Sequence, residues 1–296
     1  MAEICPTTGV QRILLSSDGS EFSEGAVREA VRLAKTCSSS LSVLSVIDYN
    51  PEFDSVAPQI MEKKEKEARL HLEAVQARAR KEGVECATLV EKGEDPYRNI
   101  VEAAEKDKST MIVMGRRGRT GLKRLMMGSV TARVIGLAPC NVLVVPRAAE
   151  VRFKSILVAT DGSRYSAAAV SEAIGLAKRN GSQLTVISVV PAEIATPTDI
   201  DFTVNQRELI AEKEMRNAEQ NAKAVKEAAQ KEGVSVKAFV MSGKPAEAVI
   251  QIAGEQKADL IVVGSHGRTG VERLLMGSVA ERVIVLASCP VLVVKR

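Results

Sequence analysis

The sequence predicts two tandem α/β domains, each a parallel sheet wound with helices on both faces. Three observations predict it. A glycine-spaced segment occurs twice, 149 positions apart, and 22 of the 33 positions from Gly115 to Arg147 and from Gly264 to Arg296 are identical. Apolar strand-like runs alternate with helical periodicity throughout each half, the order that yields a parallel sheet. The runs themselves, such as Met111–Met114 and Val142–Val145, are apolar without alternation, as strands buried on both faces are.

The elements follow in order. Arg12–Ser17 is a short strand ending in Asp18-Gly19-Ser20, and Glu21–Lys35 has helical spacing. Leu41–Ile47 is a second strand, followed by a polar loop over Asp48–Pro58. Gln59–Glu82 is a long amphipathic helix stopped at Gly83, Val84–Glu91 a third strand, and Pro96 opens a helix. Thr110–Met114 is a fourth strand ending at Gly115, Ser129–Leu137 a helix, and Asn141–Val145 a fifth strand. The second half repeats the series from Ser155–Thr160 to Pro290–Lys295. Equivalent positions differ by 143 at Asp18/Asp161 and by 150 at Gly83/Gly233, which puts seven extra residues around the long helix of the second copy. The expected domains are therefore 1–148 and 149–296, and Ala148–Arg152 is too short to act as a loose tether.

Composition narrows the function. Of 296 residues, 45% are hydrophobic and 26% charged, an ordinary globular mix. Aromatic residues make up 3% and Trp is absent, which argues against binding nucleic acid through stacked bases. A net charge of +4 favours small anions without implying a nucleic-acid or membrane partner. No apolar run approaches a membrane span, and Met1–Val10 lacks the form of a signal peptide. Cys5, Cys37, Cys86, Cys140 and Cys289 form no Cys-x-x-Cys pair. Reduced thiols and a cytoplasmic location are expected.

The repeated segment also points to a site. It reads Gly115-Arg-Arg-Gly118 and Gly264-Ser-His-Gly267, each followed after nine residues by Gly-Ser, at Gly128-Ser129 and Gly277-Ser278. Glycine lets a phosphate approach bare backbone, and a helix N-terminus offers unpaired N–H groups. The alternative is an N-cap serine behind a turn glycine, with Ser129 and Ser278 at the cap. Asp18 and Asp161 suit a ribose or a metal, or else form Asp-Gly turns. If the first and fourth strands are neighbours, Asp and glycines meet in one crevice beyond the strand ends. The first loop carries Arg116, Arg117, Arg119, Lys123 and Arg124, the second His266, Arg268 and Arg273. Closure over a polyphosphate and a solvated basic loop both fit, and Arg119 and Arg268, in the shared Gly-Arg-Thr-Gly setting, are the stronger candidates. His266 lacks partners for a metal site, and His71 reads as an exposed, inert helix residue. The glycines match neither the Walker A nor the Gly-x-Gly-x-x-Gly pattern, and no catalytic triad or carboxylate pair can be assembled.

These residues resemble the universal stress protein family in its tandem form. The resemblance rests on Asp-Gly-Ser after the first strand and on Gly-x-x-Gly, nine residues, Gly-Ser in each half, and it spans nearly the whole chain. It implies a flavodoxin- or Rossmann-like sheet of order 3-2-1-4-5 and marks the members that bind ATP, commonly with magnesium. It places adenine at the backbone around Val46 and Val189, and ribose at Asp18 and Asp161. It places triphosphate at Gly115, Gly118, Gly128, Ser129, Val130, Gly264, Gly267, Gly277, Ser278 and Val279. Ser16, Ala159, Met114 and Val263, at the strand ends, complete the expected set. The resemblance also implies pairing of the last strands, Val142–Val145 with Val291–Val294, and a possible homodimer of whole chains. The expected function is an ATP-binding stress or regulatory protein with slow hydrolysis at most. The rivals are an ATPase or nucleotide-transferring enzyme of the adenine-nucleotide α-hydrolase group and a nucleotide-independent interaction module.

Overall fold

The computed structural model describes residues 5–7, 9–49, 51, 58–118, 127–191, 204–267 and 276–295. The first half contains β1 (Arg12–Ser16), α1 (Glu24–Cys37), β2 (Ser40–Asp48), α2 (Pro58–Lys81), β3 (Cys86–Gly93), α3 (Pro96–Lys106), β4 (Met111–Gly115), α4 (Ser129–Leu137) and β5 (Asn141–Val145). The second half contains β6 (Ser155–Ala159), α5 (Arg164–Asn180), β7 (Gln183–Pro191), α6 (Val204–Lys231) and β8 (Val236–Gly243). It ends with α7 (Pro245–Glu255), β9 (Leu260–Gly264), α8 (Ser278–Leu286) and β10 (Val291–Val294).

All ten strands form one sheet, in the order β3-β2-β1-β4-β5-β10-β9-β6-β7-β8. Each half keeps the order 3-2-1-4-5 with parallel pairing, and the halves join where β5 and β10 run antiparallel, with Leu143 opposite Leu292. The two five-stranded sheets are thus continuous through their last strands, as the resemblance implied. Two apolar layers cover the sheet. One packs α1, α2, α5 and α6 through residues such as Ala30, Leu72, Ala173 and Val225. The other packs α3, α4, α7 and α8 through Ile100, Val134, Val249 and Val283. The short link between halves is held down: Arg28 donates to the Ala149 carbonyl, and the buried Glu29 carboxylate accepts the Val151 amide at 3.1 Å.

Two expectations need correction. The third strand of each half starts two residues later than periodicity suggests, at Cys86 and Val236. Gly83 and Gly233 adopt positive φ and close the long helices, and the buried Val84 and Val234 donate back to Ala79 and Ala229, both at 2.9 Å. The apolar residue after the glycine therefore completes the helix cap and does not begin the strand. Secondly, Cys5 and Cys37 are disulfide-bonded, so the expectation of five reduced thiols fails for this pair. They are 32 residues apart in sequence, and only the folding of the N-terminal segment onto the end of α1 brings them together. Cys86, Cys140 and Cys289 are free thiols.

Candidate nucleotide site

The winding reverses between β1 and β4 and between β6 and β9, because the helix after each strand leaves on the opposite face. Ser16 pairs with Met114 at the ends of β1 and β4, and Val158 pairs with Val262 in β6 and β9. The Asp-Gly-Ser turn and the glycine loop consequently emerge side by side in each half, as a doubly wound sheet requires of a binding crevice.

In the second half they enclose a cavity of about 380 Å3. Ala159, Asp161, Val189, Val263, Gly264, Gly267, Gly277, Ser278 and Val279 all line it. Every expected residue of that half is there except Arg268, which, like Arg119, Lys123, Arg124 and Arg273, lies outside the described residues. Ile187, Pro191, Pro245 and Val249 add an apolar end that sequence reasoning missed. Pro245 opens α7, and only the sheet order reveals that this helix rises beside the crevice. His266 also lines it, with its ring centroid 5.1 Å from that of Tyr165 and Nδ1 3.1 Å from the Ser265 hydroxyl.

Both Asp residues form the expected turns. One carboxylate oxygen of Asp161 accepts the Ser163 amide at 2.9 Å, and one of Asp18 accepts the Ser20 amide at 3.0 Å. The other oxygen faces the glycine loop: a Cβ on Gly267 would sit 2.9 Å from Asp161 Oδ2, and one on Gly118 2.8 Å from Asp18 Oδ2. The turn fixes the carboxylate and directs it at the loop. In the first half Val46 stands on β2 opposite Glu91, and Met114 is buried in the core, so it offers backbone alone to a ligand.

The helices start where expected, at Ser129 and Ser278, so the cap falls one residue earlier than the serine-cap reading placed it. Gly128 and Gly277 are the N-caps of α4 and α8, and Ser129 and Ser278 are the first helical residues. A glycine cap brings no side-chain acceptor, so the first-turn amides of Ser129, Val130 and Thr131, and of Ser278, Val279 and Ala280, have no cap bond. A serine cap would have covered part of that helix start; glycine leaves those amides without a side-chain acceptor. The other glycines serve packing. A Cβ on Gly264 would come within 2.7 Å of the Tyr165 carbonyl oxygen, and one on Gly115 within 2.9 Å of that of Phe22.

Two further expectations change. His71 is not an inert surface residue: its Nε2 lies 2.8 Å from the Ser17 hydroxyl, and its ring packs against Gly19 of the Asp-Gly-Ser turn. Asn221 stands at the same place beside Gly162 in the second half. Arg116 belongs neither to a polyphosphate clamp nor to a solvated loop. Its guanidinium reaches the other half, where Nη1 lies 2.9 and 2.8 Å from the carbonyl oxygens of Val285 and Ala287, at the C-terminus of α8. Burial, with Arg117 nearby, lowers its pKa.

Among the described residues no group of three or more His, Cys, Asp or Glu is placed to hold a metal ion, and no helix is long and apolar enough to cross a membrane.

Comparison with known proteins supplies the wider context. The model of the universal stress protein family matches twice, over residues 9–146 and 152–295. A universal stress protein of Methanocaldococcus jannaschii is 40% identical over 146 residues, 49% of this chain and 83% of that protein. Universal stress protein YxiE of Bacillus subtilis is 34% identical over 148 residues, 48% of this chain and 99% of its own length. Each such relative corresponds to about one half. The crystal structure of a universal stress protein from Archaeoglobus fulgidus superposes over 98% of both chains with a TM-score of 0.73 at 24% identity. A functionally unknown protein from Pseudomonas aeruginosa reaches 0.66 at 20% identity, over 97% of this chain and 93% of its own. These two structures share the fold of the whole chain.

Proposed function

This chain belongs to the universal stress protein family, and from that membership we propose that each half binds one adenine nucleotide, ATP with magnesium, as a regulatory ligand that is hydrolysed slowly at most. The observation that carries the reading is the cavity of the second half, where a carboxylate, bare glycine backbone and an uncapped helix N-terminus meet at one end and apolar side chains at the other. Its volume of about 380 Å3 falls within the ~300–1,000 Å3 common for small-molecule sites.

The chemistry divides along the crevice. Ile187, Val189, Pro191 and Val249 offer an apolar slot for a flat base. Asp161, held by the Ser163 amide, presents acceptors to ribose hydroxyls. The first-turn amides of α8 and the backbone of Gly264, Gly267 and Gly277 would receive phosphate oxygens, aided by the partial positive charge of the helix end. Magnesium would be held mainly by those phosphates, since the described residues supply no carboxylate cluster for it. The first half would use Asp18, Gly118, Gly128, Ser129 and Val130 in the same roles. Among the described residues no general base or nucleophile can be assigned, which favours a ligand over a substrate. A cytoplasmic location and association of two chains through a homodimer are part of the same proposal.

The paired variant Gly128→Ala/Gly277→Ala tests it. A Cβ on Gly128 meets no protein atom closer than 3.5 Å, and one on Gly277 none closer than 3.2 Å, so the added methyls chiefly obstruct a phosphate. Calorimetric titration with ATP and magnesium is expected to show at least about tenfold weaker binding than the parent, the loss of one to two charge-assisted hydrogen bonds. Parental affinity in the double variant overturns the cradle assignment.

A further inference from the structure

Hydrogen bonds join each glycine loop to the helix that serves the opposite site. Arg116 is the second residue of the first loop, and its carbonyl accepts the amide of Gly128, the N-cap of α4, at 3.1 Å. Its side chain leaves that loop and lies 3.3, 2.9 and 2.8 Å from the carbonyl oxygens of Ile284, Val285 and Ala287 at the end of α8. In the other direction, Ser265 is the second residue of the second loop and donates its amide to Val294 at 3.3 Å. The next residue, Lys295, donates Nζ to the carbonyls of Ile135 and Gly136, at 2.8 and 2.9 Å, at the end of α4.

The repeat makes the pattern specific. Ile284 and Val285 less the offset of 149 are Ile135 and Gly136, so the same two carbonyls are capped in both halves. The cations are not equivalent: Ser265 stands where Arg116 does, and Pro146 where Lys295 does. Two unrelated positions have supplied one contact twice, each time from the opposite half. The chemistry suits it, because a helix C-terminus carries unpaired carbonyls and partial negative charge. Both cations are partly buried, and desolvation lowers the pKa of each. Helices α4 and α8 have nine residues each, about 13 Å at ~1.5 Å per residue. With a rigid rod that short, fixing the C-terminal carbonyls also fixes the amides at the other end.

Resting on the nucleotide reading above, we propose that the two sites are positively coupled through these crossed caps. A ligand held beside Arg116 or Ser265 also holds the far end of the helix whose N-terminus forms the other cradle. The second ligand then meets a cradle whose helix is already fixed in place.

The test uses site-isolated proteins. Gly128→Val fills the first cradle and Gly277→Val the second, and each should reduce the ATP stoichiometry of the full chain from two to one. Adding Arg116→Met to Gly128→Val should weaken ATP binding at the remaining second site at least about fivefold, the lower range of measured couplings. The changed residue there belongs to the loop of the blocked site. Adding Lys295→Met to Gly277→Val should likewise weaken the first site, and Arg116→Lys in place of Arg116→Met, which keeps a cation, should restore part of the loss at the second. In the otherwise unaltered chain the Hill coefficient should exceed one and fall to one when both caps are removed. Unchanged affinity of the isolated sites, with folding verified by circular dichroism, overturns the coupling. Absence of ATP binding by the parent, or stoichiometry unmoved by the valines, overturns the nucleotide reading and the coupling with it.

Discussion

Cys37 and Asn180 end equivalent helices, and both hold the same N-terminal segment. Cys37 does so by a covalent bond to Cys5, Asn180 by donating a hydrogen bond to the Pro6 carbonyl at 2.9 Å. The glycine loops differ in a similar way: Arg116 leaves the first to cap α8, while Ser265 and His266 stay in the second beside the cavity. Within each loop Thr131 ties α4 to the Gly115 carbonyl at 3.2 Å, where the second half has Ala280. Duplication kept the backbone path, the glycines and the Asp residues. It let some side chains diverge where one half meets the other or meets the N-terminal segment, surroundings that are not repeated, and others, such as Thr131/Ala280 and His71/Asn221, within each half.

The largest expected effect separates the two N-terminal ties. Opening the Cys5–Cys37 bond releases a loop with a sequence separation of 32 and should cost about 3–4 kcal/mol by chain entropy. Asn180→Ala removes one neutral hydrogen bond and should cost about 1 kcal/mol. Urea unfolding with and without reductant compares them, and equal losses would break the distinction.

Next come the glycines. Gly264→Ala and Gly115→Ala force a Cβ against the backbone of the helix entry in each half and should each destabilise by about 2–3 kcal/mol. Gly128→Ala, at an N-cap where glycine is preferred over alanine, should destabilise by no more than about 1 kcal/mol while weakening ATP. Thermal melts paired with titrations would separate glycines kept for packing from the glycine kept for ligand. A large stability loss at Gly128 would erase that contrast.

The smallest difference between the halves is expected at a pair of thiols where they should agree. Burial pushes the Cys140 and Cys289 thiols up to about 11 from 9.0. The folded chain then holds more protons than the unfolded chain between those values, so stability is unaffected below pH 9 and declines from about 9 to 11. Urea midpoints measured across that range should fall, and Cys140→Ala and Cys289→Ala should each remove a similar share. A flat profile would show that these thiols ionise normally.

Much of this was legible in the sequence for one reason: the repeat supplied two readings of every element. Apolar strands and helix periodicity predict the sheet, and Asp18 and Gly115, at the ends of the first and fourth strands, predict a crevice if those strands are neighbours, as they are. What stayed hidden depended on contacts between distant segments. The targets of Arg116 and Lys295 exist only once β5 and β10 pair. The Cys5–Cys37 bond needs the N-terminal segment folded back, and the contact of His71 with Ser17 needs the register of α2 against the Asp-Gly-Ser turn. The shift of the cap from serine to glycine follows from the helices beginning at the serines themselves, which leaves the preceding glycine as the cap.

Native mass spectrometry of the full chain with ATP and magnesium tests the central claim most directly. Two successive mass increments of one nucleotide each are expected, with the first lost in Gly128→Val, the second in Gly277→Val and both in the double variant. A chain that takes up no nucleotide, or one whose increments persist when both cradles are filled with valine, would contradict it.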